Sequence, residues 1–94
     1  MTNDNNQLDE AQMNERRKAL CDEIMHRAAK MMVEEVGAPF GMMLDRLLTF
    51  AAAQACITDG SEKTAGAFRV FAEKIEGGLF HKVTGEGEYR QQRH

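Results

Sequence analysis

The chain has 94 residues, of which 43% are apolar, and a formal net charge of -3 with a pI near 5.6. This length supports one small domain, and the apolar content is that of a folded protein rather than a disordered one. The acidic balance argues against a protein that binds nucleic acid or anionic membranes through its overall charge.

The first predicted helix runs from about Leu8 to Val36, after a polar segment, residues 1–7, that we expect to fray. We expect Asn6 to cap this helix and Asp9 to lie in its first turn, where a carboxylate suits the helix dipole. Its apolar residues form a stripe and a flanking row with helical spacing. The stripe is Met13, Leu20, Ile24, Ala28 and Met31, and the flanking row is Met25, Ala29, Met32 and Val36.

A second helix is predicted from about 39 to 58, because Gly37 suits the end of the first helix and Pro39 the first turn of the next. Asp45 and Arg46 are the only charged residues in this stretch, so the helix is apolar on nearly all sides. A helix of this kind is usually covered on more than one side, and we therefore predict that it is the central helix. The uncharged part, from Leu47 onward, is too short to span a bilayer, so no membrane association is expected.

A third helix is predicted from about 61 to 76, with Asp59 and Glu62 spaced as a capping box. One face of it is apolar and consists of Ala65, Phe68, Phe71, Ala72 and Ile75. Two glycines, Gly77 and Gly78, end the helix, and Phe80 can fold back onto it with Leu79.

The C-terminal part is polar apart from a short stretch, His81 to Thr84, that we expect to be extended. We predict a flexible tail from about residue 82 to 94, because its apolar content is too low to order it. The chain as a whole, residues 1–94, is thus predicted to be one all-α domain of three helices that assembles as a dimeric helical bundle.

Glu23 and His26 match the Glu-x-x-His spacing of di-iron bundles, which makes them candidate metal ligands. A dimer would supply two such motifs, with Asp45 as a further carboxylate. We expect Glu23 and His26 to project to solvent, away from the apolar stripe, and Asp45 to lie more than a turn from His26. We therefore predict no metal and no cofactor.

The two cysteines, Cys21 and Cys56, lack CxxC spacing and predict neither a disulfide framework nor a zinc site. A disulfide between them is sterically conceivable, but in a protein predicted to be cytoplasmic we favour two reduced, mostly buried thiols. The polar, acidic N-terminus is unlike a signal peptide. No nucleophile, catalytic triad or phosphate-binding loop is recognisable in the sequence, so no enzymatic activity is predicted.

Several apolar residues are candidates for an interface. Met31, Met32, Met42 and Met43 bracket the turn between the first two helices and suit either the end of a core or an adaptable binding surface. The far side of the second helix carries Met42, Ala52, Ala53 and Cys56, and Val33 and Val70 fall in otherwise polar faces. We expect a second copy to cover these residues.

The sequence therefore predicts a small non-enzymatic helical protein that acts by protein–protein interaction, as a homodimer and with a regulatory or adaptor partner. The alternative is a nucleic-acid-binding transcriptional regulator, in which the junction of helices two and three resembles a helix-turn-helix. Its reading helix would be Ser61 to Lys74. The outward residues Glu62, Lys63, Arg69 and Glu73 mix both charges, which makes nucleic acid the weaker prediction.

Overall fold

The computed structural model describes residues 9–87 of the chain, and 85% of these residues are helical. The elements are α1 (Glu10–Glu34), α2 (Phe40–Asp59), α3 (Ser61–Glu76) and the short α4 (His81–Thr84). No strand occurs among the described residues, so the all-α class and the three predicted helices are confirmed. The chain divides into two compact units between Leu48 and Thr49, inside α2.

The N-terminus of α1 is closed by a reciprocal pair of hydrogen bonds. The Gln12 backbone N–H donates to Asp9 Oδ1 over 2.8 Å, and the Asp9 backbone N–H donates to Gln12 Oε1 over 3.0 Å. Asp9 is therefore the capping residue of a capping box. The predicted cap, Asn6, was wrong, and that residue lies outside the described part of the chain.

The turn between α1 and α2 forms as the sequence predicts. The Met31 carbonyl accepts from the N–H groups of Glu35 and Val36, over 2.8 and 3.1 Å. Gly37 then takes a left-handed conformation, with φ +79°, which reverses the chain at little steric cost because glycine has no Cβ. Pro39 directly precedes α2, and its carbonyl accepts from the Met43 N–H over 3.1 Å.

In the first unit, α1 and the first half of α2 line a common groove. Met43 of α2 is buried there, with 4% of its surface exposed. The half-buried residues of the unit are Met13, Ala28, Ala29, Met32, Ala38 and Leu47. On α1 it is thus the flanking row, through Ala29 and Met32, that is turned toward α2. Most of the predicted stripe is exposed in the single chain.

In the second unit, the half-buried residues of α2 are Ala52, Ala55 and Cys56, which lie on one face of the helix. Thr64 of α3 is buried, and its hydroxyl has no hydrogen-bond partner among the described residues. Phe71 of α3 meets Phe80 edge to face, with ring centroids 6.3 Å apart and an interplanar angle of 79°. This contact confirms that Phe80 folds back onto α3.

The predicted capping box at the start of α3 was wrong. Asp59 is the last residue of α2, so its backbone is helical and its side chain does not cap the next helix. The capping position is held by Gly60, with φ +91° and no side-chain hydrogen bond.

The end of α3 agrees with the sequence prediction, but the segment after it does not. The Leu79 N–H donates to the Lys74 carbonyl and the Gly78 N–H to the Ile75 carbonyl, over 3.0 and 3.1 Å, as in a Schellman motif. His81–Thr84 was expected to be extended and is instead helical. The Phe80 carbonyl starts this turn by accepting from the N–H groups of Val83 and Thr84, so the backbone bonds locally and has no need of a strand partner.

Candidate interaction surface

Many large apolar side chains lie on the surface of the described residues. Met43 is the one buried apolar residue among them, whereas nineteen large apolar side chains are exposed. Scattered exposed apolar residues are ordinary, but contiguous ones mark surfaces that bind a partner. Such a surface therefore lies where several exposed apolar residues share one helix face.

One such place is the groove of the first unit. It is an open cavity of about 420 Å³ between α1 and the first half of α2. Its lining residues are Asp22, Met25, His26 and Ala29 of α1, with Phe40, Met43, Leu44 and Leu47 of α2. The apolar floor and the two polar side chains, Asp22 and His26, suit an apolar side chain or a helix of a partner.

The position of His26 corrects one expectation from the sequence. His26 is exposed, as expected, but it lies at the groove beside α2 rather than on an empty solvent face. It does so because α1 turns its flanking row, and not its main stripe, toward α2. Among residues 9–87 no group of three His, Cys, Asp or Glu side chains comes close enough to hold a metal ion.

The opposite face of α1 carries the rest of the predicted stripe. Leu20, Ile24 and Met31 are 52%, 63% and 53% exposed. At 100° per residue these three side chains point about 170° away from the groove-lining row centred on Ala29. We call Leu20, Ile24 and Met31 the outer stripe of α1.

A further apolar strip lies on α2 in the second unit. Phe50 and Ile57 are 67% and 77% exposed, and the exposed Ala53 lies between them on the same face of the helix. Sequence reasoning missed Phe50 and Ile57 as surface residues. Their seven-residue spacing was the available signal, but in a helix that is apolar on nearly all sides it does not distinguish a covered face from an open one.

The residues predicted as interface candidates occupy different environments. Met31, Met42, Val33, Val70 and Ala53 are exposed, Met32, Ala52 and Cys56 are half-buried, and Met43 is buried. The methionines near the turn thus divide between the two alternatives. Met43 belongs to the interior of the first unit, while Met31 and Met42 belong to its surface.

The two cysteines are free, as expected, but Cys21 is exposed and Cys56 half-buried. The expectation that both are mostly buried was wrong for Cys21. It lies on α1 beside Asn14, Arg17, Lys18 and Asp22, which line a shallow polar depression.

The outward face of α3 is acidic around its one arginine. Glu62, Glu73 and Glu76 fall within about 40° of Arg69 on the helix projection, and all four residues are exposed. Phosphate groups would meet three carboxylates there, so this face is poorly suited to the DNA backbone.

By length and composition α2 reaches the threshold for a membrane-spanning helix, and it is the one such helix among the described residues. Its most apolar window has a mean hydropathy of 1.2 and is only 6% buried. The prediction from sequence counted only the uncharged residues after Asp45 and Arg46, and that stretch is too short to span a bilayer. A full helix of 20 residues includes that pair and is long enough.

Comparison of the chain with models of protein families, with curated proteins and with solved structures finds no match.

Proposed function

We propose that this chain is a non-enzymatic helical protein that works by protein–protein interaction, first with a second copy of itself and then with a regulatory or adaptor partner. The single observation that supports it most is that, within residues 9–87, nineteen large apolar side chains are exposed and one apolar residue is buried. Covering half of one such side chain stabilises an assembly by roughly 1 kcal/mol. A second copy covers these faces twice, because two-fold symmetry applies each contact in both directions.

Helix α2 is the element on which this proposal depends most. It is the most apolar helix, yet Met43 is its one buried residue. The strip formed by Phe50, Ala53 and Ile57 has the i, i+3, i+7 spacing by which one helix packs against another. Ala53 lies at the centre of the strip, where its small side chain lets a second backbone approach.

A lipid bilayer is the competing way to cover α2, and two features of the helix disfavour it. Asp45 and Arg46 lie within about two turns of the helix centre, where insertion costs roughly 2.5–3.5 kcal/mol for each charged residue. Their side chains contact each other over 3.2 Å, yet both remain more than half exposed. The ends of α2 also lack the Trp and Tyr residues that are enriched where a spanning helix crosses the interface.

The experiment is to measure the mass of the full chain in solution and its response to one charge placed on the strip. Sedimentation equilibrium at micromolar concentration should give a multiple of 10.6 kDa for the unmodified protein. Ile57→Glu should weaken self-association at least about tenfold, because a carboxylate would be desolvated at the interface. Thr58→Glu is the matched control, since it adds the same charge at the same end of the helix, at an exposed polar position about 110° from the centre of the strip.

A monomer mass for the unmodified protein would overturn the proposal. So would flotation of the protein with vesicles of phosphatidylcholine, which would assign α2 to a bilayer instead. Binding to generic duplex DNA with a steep dependence on salt would favour the nucleic-acid-binding alternative.

A further inference from the structure

We infer that the outer stripe of α1 (Leu20, Ile24 and Met31) pairs antiparallel with the same stripe of a second copy, about a two-fold axis level with the Met25–His26 peptide. This pairing presupposes the self-association proposed above and adds to it a contact on α1 with a defined register, in addition to the strip of α2. The stripe is open in the single chain, since each of its three residues is more than half exposed.

The charged residues at the two ends of the outer stripe indicate which partner packs against it. Arg16 and Glu34 are five full turns apart, at 3.6 residues per turn, so they lie on the same edge of the stripe. Arg17 and Glu35 have the same separation and lie on the other edge. Each edge thus runs from an arginine near the N-terminus of α1 to a glutamate near its C-terminus.

Only an antiparallel copy matches this pattern. A two-fold axis perpendicular to the helices keeps each edge on its own side and exchanges the two ends. Arg16 then meets Glu34 of the second copy, and Arg17 meets Glu35 of the second copy. A parallel copy would set arginine against arginine and glutamate against glutamate, which is unfavourable.

The apolar residues require the same register. With the axis level with the Met25–His26 peptide, Leu20 is level with Met31 of the second copy, and the two Ile24 side chains lie within about one turn of each other. The charged residues beside the middle of the outer stripe also match this register. Arg27 forms an ion pair of 3.8 Å with Glu23 in its own chain, and in this register it is also nearly level with Glu23 of the second copy.

The end charges are available for such contacts. Arg16, Glu34 and Glu35 are exposed, and none of them forms an ion pair with another residue in the range 9–87. Arg17 is 3.7 Å from Glu10 and donates to Asn14 Oδ1 over 2.8 Å, but more than half of the Arg17 side chain is exposed, so these contacts are weak and easily exchanged.

The test is charge reversal in the full chain, followed by mixing. The variants Arg16→Glu/Arg17→Glu and Glu34→Arg/Glu35→Arg should each self-associate at least about tenfold more weakly at low salt, because attraction at both ends becomes repulsion. An equimolar mixture of the two variants should form a heterodimer with about the affinity of the unmodified protein. The matched control for Arg16→Glu/Arg17→Glu is Lys18→Glu/Lys30→Glu, which makes the same change of charge on exposed positions of α1 away from the stripe.

The mixing experiment remains informative if a variant loses helicity on its own. Recovery of helical circular dichroism and of the dimer mass on mixing would support the pairing, and failure to recover either would contradict it. If the reversed variants and the control all associate within about threefold of the unmodified protein, this register is wrong while the self-association itself stands. If the unmodified chain is a monomer, the proposed function fails together with the pairing.

Discussion

Two glycines in the second unit have opposite structural requirements. Gly78 has φ +109°, and a Cβ added there would lie 3.0 Å from Nδ1 of His81. Gly66 lies inside α3, and a Cβ added there would meet nothing within 4 Å. Glycine is therefore required at the end of α3, whereas inside the helix it only adds conformational entropy to the unfolded chain.

Replacing each of these glycines with alanine should change stability in opposite directions. Gly78→Ala should lower the free energy of unfolding by more than about 1 kcal/mol, because alanine is strained at positive φ. Gly66→Ala should raise it by about 0.5–1 kcal/mol. Urea unfolding followed by circular dichroism, at equal protein concentrations, measures both changes. Changes of the same sign would show that the end of α3 differs from the Schellman motif described here.

For individual residues of α1, the sequence could not predict which side chains point toward α2. Ala29 and Ile24 both belong to apolar rows with helical spacing, and periodicity treats the rows alike. The stripe was predicted to be the inner face because Glu23 and His26 project away from it. In the structure the inner row contains Ala29, whose small side chain leaves room for the groove residues of α2. Which row faces inward depends on the geometry of the turn, which hydrophobic periodicity does not encode.

At the scale of elements, the contact between Phe71 and Phe80 is what joins α4 to α3. The two rings meet edge to face, a geometry that adds about 0.5–1.5 kcal/mol beyond the burial of their surface. The Schellman motif at Gly78 brings Phe80 back toward the helix, so backbone and side chains favour the same conformation.

A double-mutant cycle should detect this contact directly. Phe71→Ala and Phe80→Ala should show a coupling free energy of about 0.5–1.5 kcal/mol in thermal or urea unfolding. The control cycle pairs Phe71→Ala with Val83→Ala, since Val83 is 84% exposed and should not couple. Equal coupling in both cycles would mean that the aromatic pair contributes nothing specific.

Element boundaries followed from the sequence where one residue type has one structural use. Gly37, Pro39 and Gly78 mark the ends of helices through their backbone preferences, and the helices end within about two residues of the predicted positions. Asp59 was predicted to cap α3 because aspartate favours a capping position, but it is the last residue of α2. Only the direct connection through Gly60 decides between the two positions.

At the scale of the whole molecule, exposed apolar surface should make stability depend on protein concentration. An assembly that unfolds to separate chains is favoured by mass action as the chain becomes more concentrated. We expect the midpoint of thermal unfolding to rise by several degrees between about 2 and 200 µM. Differential scanning calorimetry at a series of concentrations is the measurement, and a midpoint independent of concentration would contradict self-association.

The interaction surface was only partly predictable at this scale. The expectation that apolar residues exceed what one small chain can bury came from composition and length alone. The sequence did not indicate Phe50 and Ile57, because every face of α2 contains apolar residues. Locating a surface requires knowing which faces the chain covers by itself.

The short connections between helices also have a kinetic consequence. Glu35 to Pro39 joins α1 to α2, and Gly60 alone joins α2 to α3. Contacts inside each unit therefore link residues that are close in sequence, and helical proteins of this kind fold in microseconds to milliseconds. Meeting a second chain at micromolar concentration, at about 10⁵–10⁷ M⁻¹s⁻¹, takes on the order of 0.1–10 s. Refolding from urea should thus be limited by a second-order step, whose half-time halves when the protein concentration doubles.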